Sequence, residues 1–153
     1  MLGGGNLPGM LGQWLASSMN ANVWAGDQTP VWLELEVLRW FRDWFEFPES
    51  ASGLLLEGTS SATVLALAIA RHRATGGDVA RRGLSGQAPL CLYGSTEVHV
   101  CVAKAAQLLG LGRDALRAVP ARADGKTDVA ALERAIATDR AAGLQPFCVV
   151  ATA

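Results

Sequence analysis

The chain is short of the residues that mark several functional classes. Its 153 residues include two lysines, two histidines and one tyrosine, and its net charge is −1 with the basic residues dispersed. Dispersed charge leaves no electrostatic footprint for nucleic acid or an acidic membrane surface, so neither is expected as a partner. Half of the residues are hydrophobic, yet Gly, Glu or Arg breaks every apolar run well short of the roughly 20 residues a membrane span needs. The N-terminus also lacks the basic region of a signal peptide. The expectation is a cytoplasmic protein. Cys91, Cys101 and Cys148 are odd in number and have no metal-type spacing, so they read as buried thiols of a reducing compartment and no metal site is expected. The Gly-x-Gly-x-x-Gly and Walker Gly-Lys-Thr motifs are absent, as is Gly-x-Ser-x-Gly, and His72 and His99 have no nucleophile partner. These absences argue against a dinucleotide fold, a P-loop and serine hydrolysis.

What is present suits one sizeable core rather than two domains of comparable size. The first thirty residues are rich in Gly, Asn and Pro around one expected helix, Leu11 to Met19. Pro30 then opens a helical segment, Val31 to Phe45, which Pro48 stops. Val31, Leu35, Leu38 and Phe45 lie on one side of that helix, with Trp32, Trp40 and Trp44 on another. It is either covered on both sides, by its own sheet and by another subunit or segment, or is an ordinary core helix with amphipathic Trp edges.

From Gly53 onward strands and helices alternate. The expected elements are a strand Leu54 to Glu57, a helix Ser61 to Ala74, a loop Thr75 to Gln87 and a strand Pro89 to Tyr93. A helix Thr96 to Leu109, a strand Leu116 to Pro120, a helix Asp128 to Ala142 and a strand Pro146 to Thr152 follow. Strands alternating with helices of ten or more residues specify an α/β fold with parallel βαβ units. Gly110, Gly112 and Gly143 fall where C-terminal helix caps belong.

Two strand-to-helix junctions carry chemistry. In Gly58-Thr59-Ser60-Ser61 a glycine and three hydroxyl residues open a helix. The unpaired N–H groups and dipole of a helix start suit an anion such as phosphate, and the same residues also suit a plain capped core helix. At the next junction, Tyr93-Gly94-Ser95-Thr96-Glu97-Val98-His99, the imidazole of His99 falls at the carboxyl end of a strand, where ligands of open α/β sheets gather. A phosphate cradle beside a planar side chain implies a flat, phosphorylated cofactor. A lone helical His also serves as a structural residue.

Read together, these stretches resemble the pyridoxal 5′-phosphate-dependent group II decarboxylases, which include aromatic amino acid, glutamate and diaminobutyrate decarboxylases. Asn20 to Gly26 with Pro30 to Glu36 resembles the segment before the family's long N-terminal helix. Gly58 to Thr63, running on to Arg71, resembles its phosphate cup, and Tyr93 to His99 the segment whose histidine stacks on the pyridoxal ring. Asp139 to Phe147 and Val149 to Ala153 resemble the helix and strand before its Gly-Thr-Thr turn. The likeness covers nearly the whole chain, with departures at Ser61 and Thr63.

The resemblance implies a partial fold-type I large domain, a mostly parallel sheet with flanking helices. It divides the chain into an N-terminal loop and helical segment, residues 1–50, and an incomplete cofactor-binding domain, residues 51–153. Thr59 and Ser60 would hold the phosphate of pyridoxal phosphate, and His99 would stack on the ring as the catalytic residue. The family's pyridine-pairing Asp and its Schiff-base Lys are absent, since Lys104 falls within a helix and Lys126 in a polar loop. The chain therefore reads as a fragment of an amino acid decarboxylase, inactive alone, whose intact form is a homodimer. Two other readings stand beside it, a non-catalytic phosphate- or nucleotide-binding α/β module and a truncated remnant acting as an interaction protein.

Overall fold

A computed structural model of the chain describes residues 4–23 and 28–151. Trp24 to Gly26, Thr152 and Ala153, which carry part of the resemblance, lie outside the described residues. The chain divides into two compact units, Met1–Leu55 and Leu56–Ala153. Among the described residues no helix is long and apolar enough to cross a membrane.

Among its described residues the first unit holds two helices, each wider than its sequence pattern indicates. Helix α1 spans Leu7–Met19, four residues longer at its start than the expected Leu11 to Met19. The Asn6 side chain accepts the Gly9 N–H at 2.8 Å, and Pro8 fits the first turn, where its missing N–H costs nothing. Helix α2 spans Thr29–Trp44, again with Pro in its first turn. No residue of α2 is buried in this chain, and Trp32, Leu33, Trp40 and Trp44 are exposed.

The expected strand at Leu54 to Glu57 does not form. A strand needs a neighbour to receive its backbone groups, and none of the three strands in the sheet pairs with this run. The Leu55 N–H donates instead to the Glu34 carboxylate at 2.9 Å, and Leu54, Leu55 and Leu56 are exposed.

The second unit carries the sheet. Helices α3 (Thr59–Ala74) and α4 (Val79–Arg82), the latter inside the expected loop, precede strand β1 (Leu90–Ser95). Helix α5 (Cys101–Leu108), strand β2 (Leu116–Val119), helix α6 (Val129–Ala141) and strand β3 (Gln145–Val150) complete it. The strand order is β2-β1-β3 and both pairings are parallel. Alternation along β1 splits the core. Leu92, fully buried, faces Leu67 of α3 and Val102, Ala105 and Ala106 of α5, while Cys91 and Tyr93 face Leu132, Ala135 and Ile136 of α6. Every residue of β1 is buried, as a central parallel strand covered on both faces must be.

Local chemistry sets the boundaries. The Asp128 carboxylate caps α6 by accepting the Ala131 N–H at 2.9 Å. Gly143, at φ 80°, ends that helix, with the Leu144 N–H returning to Asp139 O at 2.9 Å. Gly110, at φ 73°, ends α5 in the same way, with Leu111 N–H bonded to Ala106 O at 3.0 Å. Pro146 has no N–H for the ladder, and the β1–β3 register shifts between Cys91 and Leu92, where Cys91 pairs with Pro146 and Leu92 with Cys148.

Helix α5 starts later than Thr96. The segment before it is held as a turn by other bonds: Thr96 N–H donates to Val119 O of β2 at 2.9 Å, Glu97 N–H to Ser95 Oγ at 3.1 Å and Val98 N–H to Ser95 O at 2.9 Å. His99 consequently lies in the β1–α5 turn, not in the helix.

Candidate functional site

Helix α3 starts with its donors free of any side-chain cap. Its first internal donor is Ala62 N–H, bonded to Gly58 O at 3.2 Å, which leaves the N–H groups of Thr59, Ser60 and Ser61 ahead of the helical ladder. Gly58 has φ 78° and ψ 144°, backbone space essentially reserved for glycine, and nothing stands within 4 Å of where a Cβ would project. Thr59 and Ser60 are exposed. Free donors, two hydroxyls, an open backbone and the positive end of a helix dipole fit a phosphate group.

The His99 turn is built against the same helix. Thr63, one turn into α3, donates its hydroxyl to Thr59 O at 2.8 Å and lies 3.6 Å from Cys101 Sγ, at the first residue of α5. Eight residues further along each helix the Arg71 guanidinium donates to Leu109 O. The two contacts make α3 and α5 parallel neighbours, so the free start of α3 and the His99 turn share one end of the pair, at the carboxyl edge of the sheet. His99 Nδ1 accepts the Cys101 N–H at 3.2 Å. The imidazole is exposed and lines a cleft of about 410 Å³ together with Ser95, Thr96, Arg113 and Asp114. Gly94 admits this turn to the strand, since a Cβ there would lie 3.3 Å from Val98.

Sequence reasoning missed a second polar cluster on the α6 face. The Tyr93 hydroxyl donates to Asp139 Oδ2 at 2.8 Å, Cys91 Sγ lies 3.3 Å from that hydroxyl, and Arg117 Nε donates to the same carboxylate oxygen at 3.2 Å. The Tyr93 bond and the Arg117 charge hold the Asp139 carboxyl below its ordinary value, against the opposing effect of burial. Burial pushes the Tyr93 phenol far up, and it raises the Cys91 thiol against the effect of the Tyr93 bond. Such thiols are inert, and this cluster locks α6 to the sheet. Among the described residues no three His, Cys, Asp or Glu side chains are grouped to hold a metal. Lys104 and Lys126 are both exposed, the first on α5 and the second between β2 and α6.

A parallel sheet covered on both faces by helices has the architecture of a fold-type I domain. Residues 1–153 match the family model described as the pyridoxal-dependent decarboxylase conserved domain. The chain belongs to that family, whose cofactor is pyridoxal phosphate. It is 29% identical over 153 residues to an aromatic-L-amino-acid decarboxylase of Bacillus atrophaeus, covering 99% of this chain and 30% of the relative. To the cysteine sulfinic acid decarboxylase of Homo sapiens it is 35% identical over 145 residues, covering 94% of this chain and 29% of the relative. The crystal structure of mouse CSAD superposes with a TM-score of 0.88 at 32% identity, covering 97% of this chain and 31% of that one. Oryza sativa TDC, solved with PLP and tryptamine, superposes with a TM-score of 0.76 at 27% identity, covering 94% of this chain and 33% of that one. The chain thus spans about 30% of the length of the relatives it matches. The family match gives no support to a non-catalytic nucleotide module or an interaction remnant.

Proposed function

We propose that this chain supplies the phosphate- and ring-contacting part of a pyridoxal-phosphate-dependent amino acid carboxy-lyase. The observation that carries the reading is the uncapped start of α3 held beside the His99 turn by the Thr63–Cys101 contact. Thr59 and Ser60 hold the cofactor phosphate through their hydroxyls and first-turn N–H groups, and Gly58 lets the backbone close on it. His99 would orient the ring and shield one of its faces from water. When bound, pyridoxal phosphate supplies the sink for the electron pair left as the substrate carboxylate departs as carbon dioxide.

Residues 51–153 belong to the large domain that binds the cofactor, and residues 1–50 to the segment leading into it. The lysine that anchors the cofactor covalently is neither Lys104 nor Lys126, which are exposed on α5 and on the connection between β2 and α6. The 153-residue chain alone does not decarboxylate amino acids, and the intact enzyme works as a homodimer in the cytoplasm. Three unpaired cysteines suit that compartment.

Titration of the chain with pyridoxal phosphate, followed by ³¹P NMR, tests the reading. The expected result is weak, reversible binding that shifts the phosphate resonance and is lost in a Thr59→Ala/Ser60→Ala variant, with borohydride trapping no cofactor on Lys104 or Lys126. Binding unaffected by the double substitution removes the cradle assignment, and turnover by the isolated chain removes the claim that its lysines are not used.

A further inference from the structure

The Thr63 hydroxyl connects the two halves of the candidate site. The Thr63 hydroxyl has one proton, and at 2.8 Å that proton goes to Thr59 O, a carbonyl able only to accept. The contact with Cys101 Sγ at 3.6 Å is then a hydrogen bond only if the thiol donates to Thr63 Oγ1. Cys101 is 6% exposed, which leaves water little access to replace either partner. The backbone of the same cysteine donates to His99 Nδ1 at 3.2 Å, and a ring nitrogen that accepts carries no proton, so the proton of the neutral imidazole sits on Nε2.

We propose that Thr63 and Cys101 are positioning residues. They form one hydrogen-bond chain from the cradle backbone at Thr59, through Thr63 and Cys101, to His99 Nδ1. The chain fixes the start of α5 against the first turn of α3, keeps the Cys101 N–H aimed at the imidazole, and leaves Nε2–H as the donor on its open side. Neither residue touches cofactor or substrate. The proposal rests on the assignment of Thr59, Ser60 and His99 to the cofactor only for its effect on binding. The chain itself belongs to the unliganded protein.

Two readouts separate these claims. In the ¹⁵N-labelled, unliganded chain, long-range ¹H–¹⁵N spectra give the protonation of each His99 nitrogen, and amide exchange gives the protection of the Cys101 N–H. Thr63→Val keeps the shape and removes the hydroxyl. It is expected to lower Cys101 protection by roughly fivefold, the worth of one ordinary hydrogen bond, and to shift the His99 nitrogen signals. Cys101→Ala should do the same, the double variant no more than either alone, while Thr63→Ser and Cys101→Ser, which keep a donor, should stay within about twofold of the parent. Pyridoxal phosphate affinity should follow the same order. Unchanged Cys101 protection and His99 signals in Thr63→Val overturn the proposal, as does failure of the Ser variants to rescue. If the unliganded signals respond as expected and the parent binds no pyridoxal phosphate, the hydrogen-bond chain stands and the cofactor assignment fails.

Discussion

Tyr93→Phe removes one oxygen from a side chain that is 1% exposed and leaves its packing against α6 in place. What is lost is the weak 3.3 Å contact with Cys91 Sγ and, chiefly, a 2.8 Å bond to an ionised carboxylate, an interaction of about 1.5–3 kcal/mol, where a neutral pair contributes about 1. Arg117 still reaches Asp139 Oδ2 and the carboxylate keeps 14% exposure, so it is not orphaned, and a cost of about 2 kcal/mol is expected at pH 7. For a unit of this size that lowers the thermal midpoint by roughly 10 °C. The cost should depend on pH in one direction. Because the folded Asp139 carboxyl is held below its ordinary value of 3.8, its charged-state stabilisation is full above that value and lost as pH falls through the depressed one. The penalty of Tyr93→Phe should accordingly shrink from about 2 to about 1 kcal/mol on acidification, as the bond becomes a neutral one. Urea unfolding followed by circular dichroism at pH 7 and on the acid limb measures both values. A penalty below about 0.5 kcal/mol at pH 7, within the range of an ordinary surface change, or one that grows toward low pH, refutes the reasoning.

Leu92→Ala empties a fully buried position between the sheet and the α3–α5 pair and should cost about 2–5 kcal/mol in the same unfolding assay. Asp128→Ala deletes the α6 cap and should cost about 1 kcal/mol, with Asp128→Asn recovering most of it. Gly58→Ala meets no atom, so its cost is backbone strain of about 1–3 kcal/mol. It should also weaken pyridoxal phosphate binding, measured by ³¹P titration. Gly94→Ala drives a Cβ to 3.3 Å from Val98 and should destabilise by about 1–3 kcal/mol while displacing the His99 imidazole signals.

Apart from the four-residue α4, which falls in an expected loop, the order of elements from α3 to β3 was legible because each is punctuated locally: Gly110 and Gly143 end helices, Asp128 starts one, and the apolar run Leu90 to Tyr93 is short enough to be only a strand. Three features were not, and each depends on residues distant in sequence. Leu54 to Glu57 has strand composition, but ladder formation depends on a partner that residue composition does not reveal. The α5 start was misplaced because the segment after β1 stays tied to β2, with Thr96 N–H donating to Val119 O, 23 residues further along the chain. The Tyr93–Asp139 bond spans 46 residues, and only the lone buried tyrosine hinted that its hydroxyl needed a partner. For the candidate site, Thr59, Ser60 and His99 were readable as residue types at strand-to-helix junctions. Their connection through Thr63 and Cys101 was not, since Cys101 reads as one buried thiol among three.

The parallel alignment of α3 and α5 has an evolutionary consequence. Two helices beginning at one edge superimpose the positive ends of their peptide dipoles there, so attraction for an anion is written into the backbone and does not depend on any one hydroxyl. On the proposed function, a lineage that exchanges Ser for Thr, or varies Ser61, keeps the backbone's share of that attraction while the hydroxyls supply the rest.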